Sequence, residues 1–253
     1  MTAEHTEARQ TRRTVLEREK PRLDEPPQWK LAKDTPTIRI AGPAGAGKTT
    51  IADALSRMLE MDIIKVGQQD RKTIATDTDF RPRDPAYDRQ IDEAIQKEML
   101  EATTDNPVLI DSHLSLVWGR KTDKLRPDAL GISILVIADE DPRMQRIMIR
   151  QNEERRLRGE PPLTLEQTRR QTLARHKGNL ALWRQAHPND VDSHPHVATD
   201  EDKKNKRFII IDTTDAKSRQ ETINLAVKKL VEAGVIERHT PPIDFQEGVP
   251  VTI

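Results

Sequence analysis

Short apolar runs alternate with amphipathic stretches along most of this chain. Thr37-Ile38-Arg39-Ile40-Ala41, Asp62-Ile63-Ile64-Lys65-Val66, Pro107-Val108-Leu109-Ile110-Asp111, residues 132–138 and residues 207–212 have the length and apolar density of buried strands. Between them, apolar residues recur every three or four positions. Ile51, Leu55, Met58 and Leu59 share one face of a helix predicted over 50–59, and Ile91, Ile95 and Met99 do so over 87–103. Residues 142–158 predict an arginine-loaded helix, broken by Pro161-Pro162. A further helix is predicted over 164–183, where Thr164 and Gln167 have capping-box spacing. A closing helix over 218–233 stops at Gly234.

Strands alternating with helices predict an α/β fold, a five-stranded parallel sheet covered on both faces in three layers. Residues 1–34 are charged, contain Pro21, Pro26 and Pro27, and read as a flexible extension with room for a short helix over 6–19. The domain proper is expected over 35–237, with a lid over about 146–183 and a polar insertion over about 187–206. Residues 68–85 hold few apolar side chains and read as a mobile region. Residues 238–253, with Pro241, Pro242 and Pro250, read as an extended tail.

The first strand and helix enclose the most specific motif. Residues 42–49 read Gly-Pro-Ala-Gly-Ala-Gly-Lys-Thr and fit the phosphate-binding pattern G-x-x-x-x-G-K-[ST] at every fixed position, in the strand–turn–helix context it requires. Glycines let backbone N–H groups turn inward around phosphate oxygens, and the helix N-terminus adds partial positive charge. Gly42, Gly45, Ala46, Gly47, Lys48, Thr49 and Thr50 are thus the expected ATP-binding residues. Lys48 would reach the β- and γ-phosphates, and the Thr49 hydroxyl would ligate Mg²⁺.

Asp111 ends an apolar strand where a second metal-organising acid would lie, followed by Ser112 and His113. Gly67-Gln68-Gln69-Asp70-Arg71 places an arginine just beyond the second strand, suited to clamping an acceptor phosphate with its planar fork. Arg146, Arg150, Arg155, Arg156 and Arg158, followed by Arg169, Arg170, Arg175 and Lys177, suggest a helical lid that closes over a transferring phosphoryl group. His187, His194 and His196 match no metal-ligand spacing.

Composition narrows the partners. Lys+Arg and Asp+Glu both number 42, so no net charge draws the chain to nucleic acid or membrane. Aromatics at 3% disfavour a base-stacking platform, which argues against nucleic acid as partner. There is no cysteine, hence no disulfide framework or thiolate chemistry. No stretch approaches membrane-spanning length, and a cytoplasmic enzyme is the expectation.

These residues together resemble the P-loop nucleoside monophosphate kinases, with archaeal-type adenylate kinases nearest and short cytidylate kinases next. The resemblance rests on the phosphate loop, on Pro107-Val108-Leu109-Ile110-Asp111-Ser112-His113, on the glycine and arginine of residues 67–71, and on the lid arginines. It implies a P-loop kinase fold that uses ATP and Mg²⁺ to phosphorylate a nucleoside monophosphate, AMP first. Lys48 would hold the donor, Arg71 the acceptor phosphate, and Arg150, Arg156 and Arg158 would close from the lid; Thr49 and Asp111 would organise the metal. Other small-molecule kinases share such a scaffold, acting on a sugar or acid hydroxyl with a base such as Asp70, Asp111 or His113. A regulatory ATPase engaging a protein partner through the tails is a reading of another class. The absence of an Asn-Lys-x-Asp guanine signature weakens its GTPase form.

Overall fold

The computed structural model describes residues 18–20, 29–32, 34–67, 85–112, 115–186 and 196–238. In chain order its elements are β1 (Trp29–Leu31), β2 (Thr37–Ala41), α1 (Lys48–Leu59), β3 (Asp62–Lys65), α2 (Pro85–Glu101), β4 (Val108–Asp111), α3 (Ser115–Leu125), β5 (Ile132–Ile137), α4 (Glu140–Leu157), α5 (Leu165–Ala186), α6 (Asp200–Lys204), β6 (Phe208–Asp212), α7 (Arg219–Glu232) and β7 (Ile236–Arg238). β2 is buried at every position, so its backbone groups need partners on both sides. It finds them in β4 and β5, and β3 and β6 extend the sheet outward, all parallel, in the order β3-β4-β2-β5-β6.

Strand alternation divides the core in two. Ile38, Ile40, Ile63, Leu109, Ile134 and Ile211 face α1 and α7, where Ile51, Leu55, Ala226 and Leu230 meet them. Ile64, Val108 and Ile110 face the other way, against Ile91, Ile95 and Met99 of α2, Trp118 of α3 and Trp183 of α5. The helix after β2 thus lies on one face and the helix after β4 on the other. The carboxyl ends of β2 and β4 therefore part at a topological switch point, where ligands bind in open α/β sheets.

Arg39 breaks the apolar pattern. It is fully buried in the central strand, and its guanidinium meets the Asp123 carboxylate of α3 at 2.8 Å. Gly119 and Gly131 make the space: a Cβ at either would lie 2.3 Å or 2.4 Å from the guanidinium.

Three parts of the fold depart from expectation. The 11-residue helix α3 was not foreseen, because its polar sequence with a central glycine has no clear periodicity; burial of Leu116, Val117 and Trp118 holds it. The stretch before residue 35 is not uniformly loose. Glu19 forms an antiparallel bridge with Ile63, and β1 pairs with β7, so the domain includes segments of the expected N-terminal extension, while β7 takes in only Arg238 of the expected C-terminal tail. Residues 196–206 of the polar insertion are anchored: Asp202 caps α6 through Thr199 and pairs with Arg120 of α3. The helix expected over 6–19 falls mostly outside the described residues, and Glu19 itself is in bridge pairing. Residues 68–84, 187–195 and 239–253 also lie outside the described residues.

Candidate functional site

The loop between β2 and α1 is built by its glycines. Gly42 has φ 144° and Gly45 φ 80°; a Cβ at Gly42 would lie 2.0 Å from the Val136 carbonyl oxygen, and one at Gly45 2.6 Å from that of Arg143. Only glycine tolerates both the torsions and the contacts. Gly47 caps α1 in a left-handed conformation with no side-chain capping bond, and the first turn carries no acid. The N-terminal N–H groups of α1 are thus left for an anion.

Two side chains of α1 define the chemistry. The Lys48 ammonium donates to the Pro43 carbonyl at 3.0 Å, spanning the loop. The Thr49 hydroxyl donates to Asp111 Oδ2 at 2.7 Å, joining the ends of β2 and β4 across the switch point. Burial lowers the Lys48 pKa despite the attraction of Asp111, and burial raises that of Asp111 despite Lys48 and the Thr49 bond. Lys48 is half-buried and keeps some surface open to solvent. This set suits ATP with Mg²⁺: an open glycine cradle, a loop lysine, and a hydroxyl–carboxylate pair that supplies part of an oxygen shell completed by phosphates and water.

The charges of Arg150, Arg143 and Arg175 add to the lowering of the Lys48 pKa, and Arg143 lies against the loop, where a Cβ at Gly45 would come within 3.0 Å of its side chain. Arg150 was expected in the lid from the sequence. Arg143 was not singled out, although it stands one helical turn before Arg146. Of the basic side chains on the later helix, Arg175 is the one whose charge acts on Lys48.

Arg146 has a different task from the lid role its sequence suggested. Its guanidinium donates to the Thr213 carbonyl at 2.6 Å, the Ala216 carbonyl at 2.7 Å and the Thr213 hydroxyl at 3.1 Å. Thr213 in turn donates to the Ala46 carbonyl at 2.8 Å. Arg146 and Thr213 thus brace the back of the phosphate loop, a role the sequence gave no signal for.

Arg156 and Arg158 are not brought to the loop. They stand exposed at the turn between α4 and α5, paired with Glu153 and Glu160 at 2.8 Å. The turn is clasped by Asn152, whose amide exchanges two hydrogen bonds with the Leu163 backbone. Farther along, Arg169 pairs with Glu140 at 2.9 Å, and Trp183 is buried beside α2. The pair of helices is thus pinned at its base, and its turn is closed by bonds within the pair. Arg71 and His113 lie outside the described residues, as do Gln68 and Asp70.

Residues 38–174, just over half of the chain, match the family described as an AAA domain, and the chain belongs to that family. Its glycine loop, Lys48, Thr49 and five-stranded parallel sheet make it a P-loop protein of kinase-like architecture. Among curated proteins it is similar to a cytidylate kinase of Archaeoglobus fulgidus, at 28% identity over 124 residues covering 46% of this chain and 63% of that protein. The match thus spans less than two thirds of that relative's length. Among solved structures it is similar to a gluconokinase from Sinorhizobium meliloti, with 13% identity, TM-score 0.47, and 80% of this chain and 95% of that one covered. A sugar kinase from Janibacter is similar at 15% identity and TM-score 0.44, covering 78% of this chain and 95% of that one. No helix among the described residues is long and apolar enough to cross a membrane.

Proposed function

We propose that the protein is an ATP-dependent phosphotransferase whose acceptor is a nucleoside monophosphate, AMP in the first instance and CMP as the nearest alternative. The observation that carries this reading is the Thr49–Asp111 hydrogen bond at the carboxyl end of β4, beside Lys48 and the glycine loop. Two polyanions approaching in line must have their charge neutralised and their water excluded, and this transfer needs little else from a protein.

The residues divide the work accordingly. Lys48 would hold the donor's terminal phosphates, and Thr49 with Asp111 would hold Mg²⁺, whose chemistry there would be to neutralise phosphate charge. The arginines of α4 and α5 roof the site, and Arg71 is proposed to hold the acceptor phosphate. A phosphate acceptor is already a nucleophile, so Asp111 can remain engaged with Thr49 instead of removing a proton. The cytidylate kinase relative supports CMP as a candidate acceptor. The test is an acceptor panel of AMP, CMP, UMP, GMP and sugar acids with ATP and Mg²⁺, read by separating ADP from phosphorylated product. Turnover with a nucleoside monophosphate is expected; turnover with hydroxyl acceptors alone would overturn the reading.

A further inference from the structure

Arg143 stands in the first turn of α4, against the phosphate loop. A Cβ at Gly45 would lie 2.6 Å from the Arg143 carbonyl oxygen and 3.0 Å from both its Cα and its Cβ. Backbone and first side-chain carbon thus make the contact, and the guanidinium has no part in it. The Arg143 Nε is closed to solvent and has no hydrogen-bond partner among the described residues. Burial pulls the Arg143 pKa below its ordinary value, and the opposing pull of Glu140 is the smaller of the two. A partly desolvated cation without a paired counter-ion costs free energy, which an anionic ligand would offset.

Other arginines of α4 are engaged within the protein. Arg146 donates to the carbonyls of Thr213 and Ala216, Arg155 meets Glu160 at 2.9 Å, and Arg156 meets Glu153 at 2.8 Å. Glu140 precedes Arg143 by three positions and so shares its helical face. Yet Glu140 meets Arg169 of α5 at 2.9 Å, and Arg169 holds Asp141 as well. Arg169 thereby takes up both acids of that first turn. Arg143 is left beside a loop whose helix N-terminus, free of acids, suits an anion.

We infer that Arg143 binds the triphosphate chain of the donor, and that Arg169 is a positioning residue that keeps it available by holding Glu140. The inference rests on the phosphotransfer reading for the donor's identity. It deepens that reading, because Arg143 belongs neither to the glycine-loop motif nor to the stretch expected as a lid. Its backbone packs on the loop itself, so it should hold the bound donor before transfer as well as during it. Such uniform binding shows in affinity and not in kcat.

The experiment titrates the full chain with inorganic tripolyphosphate and with ATP, each with Mg²⁺, by calorimetry. Arg143→Ala keeps the Cα, Cβ and carbonyl that pack on Gly45, so the loop should survive it; Arg143→Gln, which keeps length without charge, is read in the same way. Both variants should raise the Kd of both ligands about tenfold or more, with partial recovery in Arg143→Lys. Arg169→Ala should raise both Kd values about threefold by releasing Glu140 to Arg143, and adding Glu140→Gln should bring them back to within about twofold of the parent. Unchanged Kd values in the Arg143 variants would overturn the inference. So would a loss seen for ATP but not for tripolyphosphate, which would mean a contact to the nucleoside. A loss in Arg169→Ala that Glu140→Gln does not repair would make Arg169 a structural brace and overturn its assigned part. None of these titrations needs turnover. A parent that binds both ligands but phosphorylates no monophosphate fails the proposed function alone, and the same Kd values still decide the part of Arg143; a parent that binds neither ligand overturns both.

Discussion

Desolvation pushes half-buried Lys48 and buried Asp111, charges of opposite sign, toward neutrality. The folded protein holds the Asp111 proton more tightly than the unfolded chain does. Ionised Asp111 therefore opposes folding at pH above its raised pKa, and the opposition fades as pH falls through that value. Asp111→Asn should leave the melting temperature at pH 7 equal or higher, while phosphoryl transfer falls about a hundredfold or more. Calorimetry and initial rates on one preparation check both halves, and a large loss of melting temperature would count against the assignment. Lys48→Ala should likewise keep the fold and lose about a hundred- to thousandfold in kcat/KM. Arg39 gives the contrasting case of a buried charge with a purely structural task. Asp123→Ala should destabilise the protein by about 3 kcal/mol, because it strands the guanidinium, whereas Arg39→Met should be close to neutral. Chemical denaturation distinguishes the two.

The helix pair α4–α5 is the element through which arginines are proposed to act in catalysis. Arg175 acts on Lys48 from α5, whereas Arg156 is occupied by Glu153 at the exposed turn. Arg175→Ala should lower kcat about tenfold or more, and Arg156→Ala should change it less than about threefold; steady-state rates at saturating ATP measure both. Equal effects would mean that the turn folds inward during the reaction. The elements with strong local periodicity were legible in the sequence to within a few residues: β2, α1, β4, β5, α4, α5 and α7. The arrangement of Gly42 through Thr49 beside Asp111 was legible too, since it follows from a local motif and a strand-end position. What could not be read rests on distant partners. β1 and β7 are three residues each and pair across two hundred positions of chain. α3 is held by tertiary burial, and the glycines at 119 and 131 have meaning only beside Arg39. Arg146 looked like its basic neighbours, and only its contacts to Thr213 and Ala216 separate bracing from phosphate binding.

At the scale of the whole molecule, charge is balanced across the chain, with 42 basic and 42 acidic residues, so binding at the site depends on local groups and not on a net field. The switch point between β2 and β4 carries the Thr49–Asp111 pair where the donor is proposed to bind, and α4 runs beside the phosphate loop at Arg143 and Arg146. Each part is separable, so the central claim can fail in a recognisable way. The most direct measurement follows the label from γ-labelled ATP in the presence of Mg²⁺ and AMP or CMP. The account predicts that label appears in the nucleoside diphosphate, with formation dependent on Lys48 and on Asp111. Label recovered only as inorganic phosphate, at a rate indifferent to every monophosphate, would contradict it.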